Sequence, residues 1–110
     1  MQEILEGLNT IRGVRGSAIV NSDGIEVMSL FRTPTPIDVI SALIASVQQV
    51  GEKIVSNAKS GHLKQTIIEA TEGKFVIQAV ELGFLVVLAD IQANLGMIRV
   101  EIQQVAPLIK

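Results

Sequence analysis

Seventeen residues near the start of the chain, Ile11 to Val27, read IRGVRGSAIVNSDGIEV, and they restrict the fold more than any other stretch. The run reads as a helix end, a glycine-bearing turn, a strand, a tight turn and a second strand. In the turn, Asn21-Ser22-Asp23-Gly24, the side chains of Asn21 and Asp23 can bond back to the local backbone. Gly24 can take a positive φ without a Cβ clash. The apolar strand before the turn is therefore expected to pair with the strand after it.

The flanking segments supply helices. Ile4, Leu5, Leu8 and Ile11 recur at helical spacing, with Glu3, Glu6, Asn9 and Arg12 largely opposite. Gly13 and Gly16 are expected to end that helix and turn the chain into a first strand at 16–21, followed by a second at 25–30. Pro34 and Pro36 break the pattern, and Thr35-Pro36 reads as an N-cap and first helical residue. The longest helix then spans about 36–57. Val39, Ile40, Leu43, Ile44, Val47, Val50 and Ile54 cover a wide arc of it, extended by Ala42, Ala45 and Ser46. One sheet face needs only one stripe, so this helix is expected to pack the sheet on one side and something else on another. Gly51 falls inside it at a cost of about 1 kcal/mol relative to alanine. That marks either a mild kink or the close approach of a second helix.

Three strands follow at 63–70, 74–81 and 84–90, with Gly73 permitting the hairpin between the first two. FLVVLA, at 84–89, is apolar without alternation, as a central strand covered on both faces should be. LKQTIIEA, at 63–70, carries polar residues on both alternating sets and reads as an edge. A last helix spans about 93–109, with Leu95, Ile98, Ile102, Val105 and Ile109 on one stripe. The order is α-β-β-α-β-β-β-α within one domain, 1–110. The long helix should cover one sheet face and the two terminal helices the other.

Chemistry is sparse. There is no cysteine, which removes disulfides, thiolate nucleophiles and Cys-based metal sites. The only histidine, His62, has no His partner and suits a surface or capping role. Ser17, Ser22 and Ser41 lie in no nucleophile elbow. GVRGS lacks the Walker run and precedes a strand, so it is no phosphate loop. NSDGIE is too short for a calcium loop, and the turn explains Asp23. Net charge is -2 and the nine Lys and Arg are scattered, with no Trp or Tyr to stack on bases, so the footprint of a nucleic-acid binder is missing. MQEILEGL has no basic n-region, and the apolar runs are too short to span a bilayer. A cytoplasmic protein without cofactor or metal is expected. Hydrophobic residues make up 48% of the chain, high for a small domain, and part of that surplus is expected in a subunit interface.

With element order and motif together, the chain resembles the roadblock/dynein light chain family (LC7), most closely the short prokaryotic members of the MglB type, which partner a Ras-like GTPase. The resemblance rests on Leu8, Ile11, Gly13, Val14, Gly16, Ser17, Ile19, Val20, Asn21, Ser22, Asp23 and Gly24. It continues through Gly73, the run Phe84 to Ala89, and NLGMIRVEI at 94–102. It implies a profilin-like α+β fold with strand order 2-1-5-4-3. It also implies a homodimer that pairs the third strand of each subunit and sets the long helices side by side. That agrees with the edge-like third strand, since pairing around a two-fold resolves an exposed edge. The interface residues expected are Leu43, Ala45, Val47, Val50, Ile54, Gln65, Ile67 and Glu69.

The resemblance implies two kinds of role, neither enzymatic. Some members bind small Ras-like GTPases and, in the MglB type, stimulate hydrolysis without supplying an arginine finger; others are adaptors in motor, polarity or signalling complexes. Lys53 is the only basic residue on the long helix. The partner surface expected is Gln48, Gln49, Glu52, Lys53, Ser56 and Asn57. A third class, an enzyme or small-ligand sensor on the same scaffold, would need reactive residues gathered only by folding.

Overall fold

The computed structural model describes residues 1–110. Its elements are α1 (Gln2–Asn9), β1 (Val14–Asn21), β2 (Glu26–Phe31), α2 (Ile37–Asn57), β3 (Gln65–Ala70), β4 (Gly73–Ala79), β5 (Gly83–Ala89) and α3 (Leu95–Val105), with a 3-10 turn at Ala106–Leu108. The strands form one antiparallel sheet in the order β2-β1-β5-β4-β3. Element order and strand order are those the sequence and its resemblance imply. The strand of unbroken apolar residues, β5, lies at the centre, and β3 at an edge.

Both faces of β5 are covered. Leu85, Val87 and Ala89 join Leu5 and Leu8 of α1 and Ile98 and Ile102 of α3 in the larger core. Val86 turns the other way, to Ala18, Val20, Ile77 and Ile44 of α2. The two terminal helices thus share one face and α2 takes the other. Ile98, Ile102 and Ile109 are at most 1% exposed, so each contributes about 2 kcal/mol by leaving water. The final helix is shorter than expected, because Pro107 converts its end to a 3-10 turn. Asn94, exposed at the head of α3, caps it: its Oδ1 accepts from the Met97 N–H at 3.1 Å.

The hairpin β1–β2 forms as expected, but Asn21 rather than Asp23 holds it. Asn21 Oδ1 accepts from the backbone N–H groups of Asp23 (2.9 Å) and Ile25 (3.1 Å), while its carbonyl accepts from the Gly24 N–H at 3.0 Å. Gly24 has φ +84, the conformation its sequence position calls for, and Gly13 has φ +92 where α1 gives way to β1. Gly16 does not turn the chain. It lies within β1 opposite Phe31, whose ring occupies the space a Cβ would need. Gly73 is likewise ordinary strand, at the head of β4, with Thr71 and Glu72 making the turn. Its missing side chain leaves room for the Arg15 guanidinium, which donates to the Glu72 carbonyl and to Asp90 Oδ1. Asn9, placed by periodicity on the solvent side, instead ties α1 to the sheet. Its Nδ2 donates to the Leu30 carbonyl at 2.9 Å, and its Oδ1 accepts from Ser17 Oγ at 2.8 Å.

At the start of α2, Pro36 occupies the N-cap position, one residue earlier than its expected place inside the helix. Thr35 is no cap, since its hydroxyl donates to the Thr33 carbonyl at 3.0 Å. Asp38 lies in the first turn, favourable for the helix dipole. A Cβ at Gly51 would stand 2.8 Å from Leu63 Cδ2, so within the protomer the glycine admits the side chain of the segment leading into β3.

Candidate functional site

Only Ser41, Ile44, Ala45 and Gln48 of α2 are buried. They recur at three- and four-residue spacing and form one sheet-facing stripe. Val39, Leu43, Val47, Val50 and Ile54 recur at the same spacing on the opposite, outward side, and are 41–65% exposed. Apolar residues at four, four, three and four positions apart make a straight seam along a helix. Where the seam meets β3, Ser46, Val47, Val50, Gly51, Ile54 and Thr66 line an open depression of about 410 Å³.

Strand β3 prolongs this surface. Its outer edge is unpaired. The Lys64 carbonyl accepts from the Ala79 N–H, toward β4. Alternation along the strand then turns the N–H and C=O groups of Gln65, Ile67 and Glu69 outward. Ile67 and Ile68 are 41% and 39% exposed. Ile68 pairs with Phe75, which packs in the α2-side core, so Ile68 lies on the same face of the sheet as the helix seam. Ile68 was absent from the interface set read from the sequence. The alternation that pairs it with a core-facing aromatic was the available signal.

One residue of the expected interface set belongs elsewhere. Ala45 is 6% exposed and lies beneath the Gly24 turn, so it packs the protomer's own core and presents nothing to a second chain. Of the expected partner surface, Gln48 is likewise internal, 4% exposed, with its Oε1 accepting from Thr66 Oγ1 at 2.7 Å. Glu52 is half-buried. Its Oε2 accepts from the Leu63 N–H at 3.0 Å, and its Oε1 lies 3.1 Å from His62 Nδ1. Gln49, Lys53, Ser56 and Asn57 are exposed along one flank of α2. Lys53 forms no ion pair. Asn57 Nδ2 donates to the Lys53 carbonyl at 2.8 Å, closing the last turn of the helix.

No group of three or more His, Asp or Glu gathers to hold a metal. Glu3 is held below the usual carboxylate range by a backbone hydrogen bond and by the chain's terminal ammonium. No helix is long and apolar enough to cross a membrane. What the fold offers is an apolar helix seam beside an open strand edge, with a polar flank along the same helix.

The order of elements and strands defines a class of small α+β domain. The chain belongs to the Roadblock/LC7 domain family, whose model matches residues 1–89. Two uncharacterized proteins of Methanocaldococcus jannaschii, MJ0310 and MJ0714, are 31% and 32% identical over 110 residues, covering all of this chain and 96% and 93% of their own lengths. Among solved structures, the gliding protein MglB from Thermus thermophilus superposes with a TM-score of 0.87 at 17% identity, over 96% of this chain and 82% of that one. A Roadblock/LC7 domain from Streptomyces avermitilis gives 0.84 at 17% identity, over 99% and 97%. An MglB with tetrameric arrangement gives 0.90 at 18% identity, over 98% and 83%. These likenesses are likenesses of fold.

Proposed function

We propose that this chain is a noncatalytic homodimer that regulates or scaffolds a small Ras-like GTPase in the cytoplasm. The observation that carries the reading is the outward seam of α2 running beside the open edge of β3. Two copies related by a two-fold axis at Ile67 pair their β3 strands antiparallel and set Gln65 of one copy opposite Glu69 of the other. An amide then faces a carboxylate, and no like charges oppose one another. The same axis brings the seams Leu43, Val47, Val50 and Ile54 together, with Val39 and Ile68 continuing them. Pairing removes both the exposed apolar stripe and the unpaired edge.

The polar flank of α2, with Gln49, Lys53, Ser56 and Asn57, stays open in that dimer and is the surface offered to the GTPase. Family membership and likeness to MglB support this choice of partner. With no arginine on α2, any effect on hydrolysis comes from repositioning the GTPase's own groups. The test is calorimetry and single-turnover hydrolysis with the host's small Ras-like GTPases in both nucleotide states. Binding that favours the GTP form together with faster hydrolysis supports the regulator. Tight binding with an unchanged rate supports an adaptor. No binding in either state overturns the GTPase reading.

A further inference from the structure

On the face of the sheet away from α2, a cleft of about 330 Å³ opens between α3 and the start of β3. Lys64, Gln65 and Gln78 line it from the strands, and Arg99, Val100 and Gln103 from α3. Its charge is of one sign, with two cations and no carboxylate. Lys64 and Arg99 are both exposed, and neither forms an ion pair. The floor is held by a hydrogen bond from Gln65 Nε2 to Gln78 Oε1 at 3.0 Å. An unpaired acid stands further along the same strand. Glu69 is exposed, lies across from Lys74 of β4 and forms no ion pair with it.

Pairing of β3 strands about Ile67 joins these two features. Residues directly opposite in an antiparallel pair point to the same face, with Cα atoms about 5.5 Å apart where they exchange hydrogen bonds. Gln65 faces the cleft. The partner's Glu69, set opposite Gln65, therefore projects on the cleft's side of the sheet and stands at its open rim. Its carboxylate meets Arg99 and Lys64 there, and the two-fold repeats the contact in reverse. Main-chain bonds between strand edges read no sequence, so an open edge alone fixes its register weakly. The charges supply what the edge lacks. A slip of one residue puts the partner's Glu69 on the other face, and a slip of two carries it about 7 Å along the strand.

We propose that the cleft beside α3 receives the partner's Glu69, and that this reciprocal charge contact selects a second copy of this chain, in one register, over other open strand edges. The proposal rests on the homodimer reading and goes beyond it by naming what sets the pairing. Glu69→Lys and Arg99→Glu are made singly. Alone, each variant places like charges at both contacts of its homodimer. Each homodimer should dissociate about tenfold more readily in sedimentation, since two exposed ion pairs are lost at once. Mixed, the two proteins form a heterodimer in which one contact is native and the other is the same pair reversed. Native mass spectrometry of the equimolar mixture should therefore show heterodimer well above its statistical share, which a merely structural role for either residue would not produce. Both positions are exposed, so circular dichroism melts should match the natural protein. Should either reversal lose its fold, Glu69→Gln, Arg99→Gln and their combination replace them, and the double variant should dimerise no more weakly than either single one. A dimeric natural protein whose reversed variants dimerise unchanged, or mix without preference for the heterodimer, overturns the charge contact and leaves the homodimer standing. A natural protein that is monomeric at every concentration overturns both.

Discussion

Gly24 lies so close over Ala45 that a side chain on the glycine has no room: a Cβ there would stand 3.0 Å from Ala45 Cβ and 3.1 Å from Ala42 Cα. The hairpin turn therefore lies directly on α2. Two constraints meet at one residue, since Gly24 also has φ +84. Gly24→Ala is expected to destabilise by about 1–3 kcal/mol for the backbone conformation, and Gly24→Val by more because its methyls meet α2. Urea unfolding of the three proteins checks this. Equal midpoints would show that the turn bears no strain.

The same contact separates two residues that the sequence placed in one expected interface set. Leu43 is 61% exposed and Ala45 only 6%. Leu43→Asp should leave circular dichroism and the melting curve of the protomer nearly unchanged while shifting sedimentation to a species of 11.8 kDa. Ala45→Asp should unfold the chain, since an unpaired carboxylate in the core costs several kcal/mol. A folded, dimeric Leu43→Asp protein would remove the α2 seam from the interface.

Much of this fold was legible because its signals are local. The unbroken FLVVLA run announces a strand covered twice, and Asn21 to Gly24 announces a hairpin. What escaped depends on contacts between distant segments. Gly16 is a glycine because Phe31 on the neighbouring strand covers it, and Gly51 because Leu63 does, and neither neighbour is near in sequence. The breadth of the apolar arc on α2 was plain, but the choice of Ser41, Ile44, Ala45 and Gln48 as its inward side was not. Apart from Ile44, small and polar residues face the sheet there, where the Gly24 turn and Thr66 come close, while the other large aliphatic residues face out. A rule that buries the most hydrophobic side chains chooses the wrong face of this helix.

Gly51 and Leu63 provide a second test. Glycine inside a helix costs about 1 kcal/mol against alanine, but a Cβ at Gly51 would press Leu63 Cδ2 at 2.8 Å. Gly51→Ala in the natural background should gain little, because the leucine must shift. In a Leu63→Ala background the same change should stabilise by about 1 kcal/mol. The difference between the two is the coupling energy of the pair. A full gain in both backgrounds would show that Leu63 moves aside without cost.

The last prediction concerns the exposed flank of α2. Lys53 carries the only cation of that helix and forms no ion pair within the chain. Gln49→Ala, Lys53→Ala and Asn57→Ala should each weaken GTPase binding, while the isolated chain should hydrolyse no nucleotide with or without them. Exposed charges act mainly on encounter, so Lys53→Ala should lower the association rate severalfold and flatten its dependence on salt, with a smaller change in dissociation. Gln49→Ala should act in the opposite sense, on dissociation, because a neutral amide steers nothing at a distance. Asn57→Ala is complicated by its bond to the Lys53 carbonyl, which frays the helix end when lost. Its melting temperature must therefore be measured beside its affinity. Stopped-flow association at several salt concentrations separates the three. If Lys53→Ala leaves the association rate and its salt slope unchanged, the GTPase does not approach along this flank, and the binding surface lies on another face of the domain.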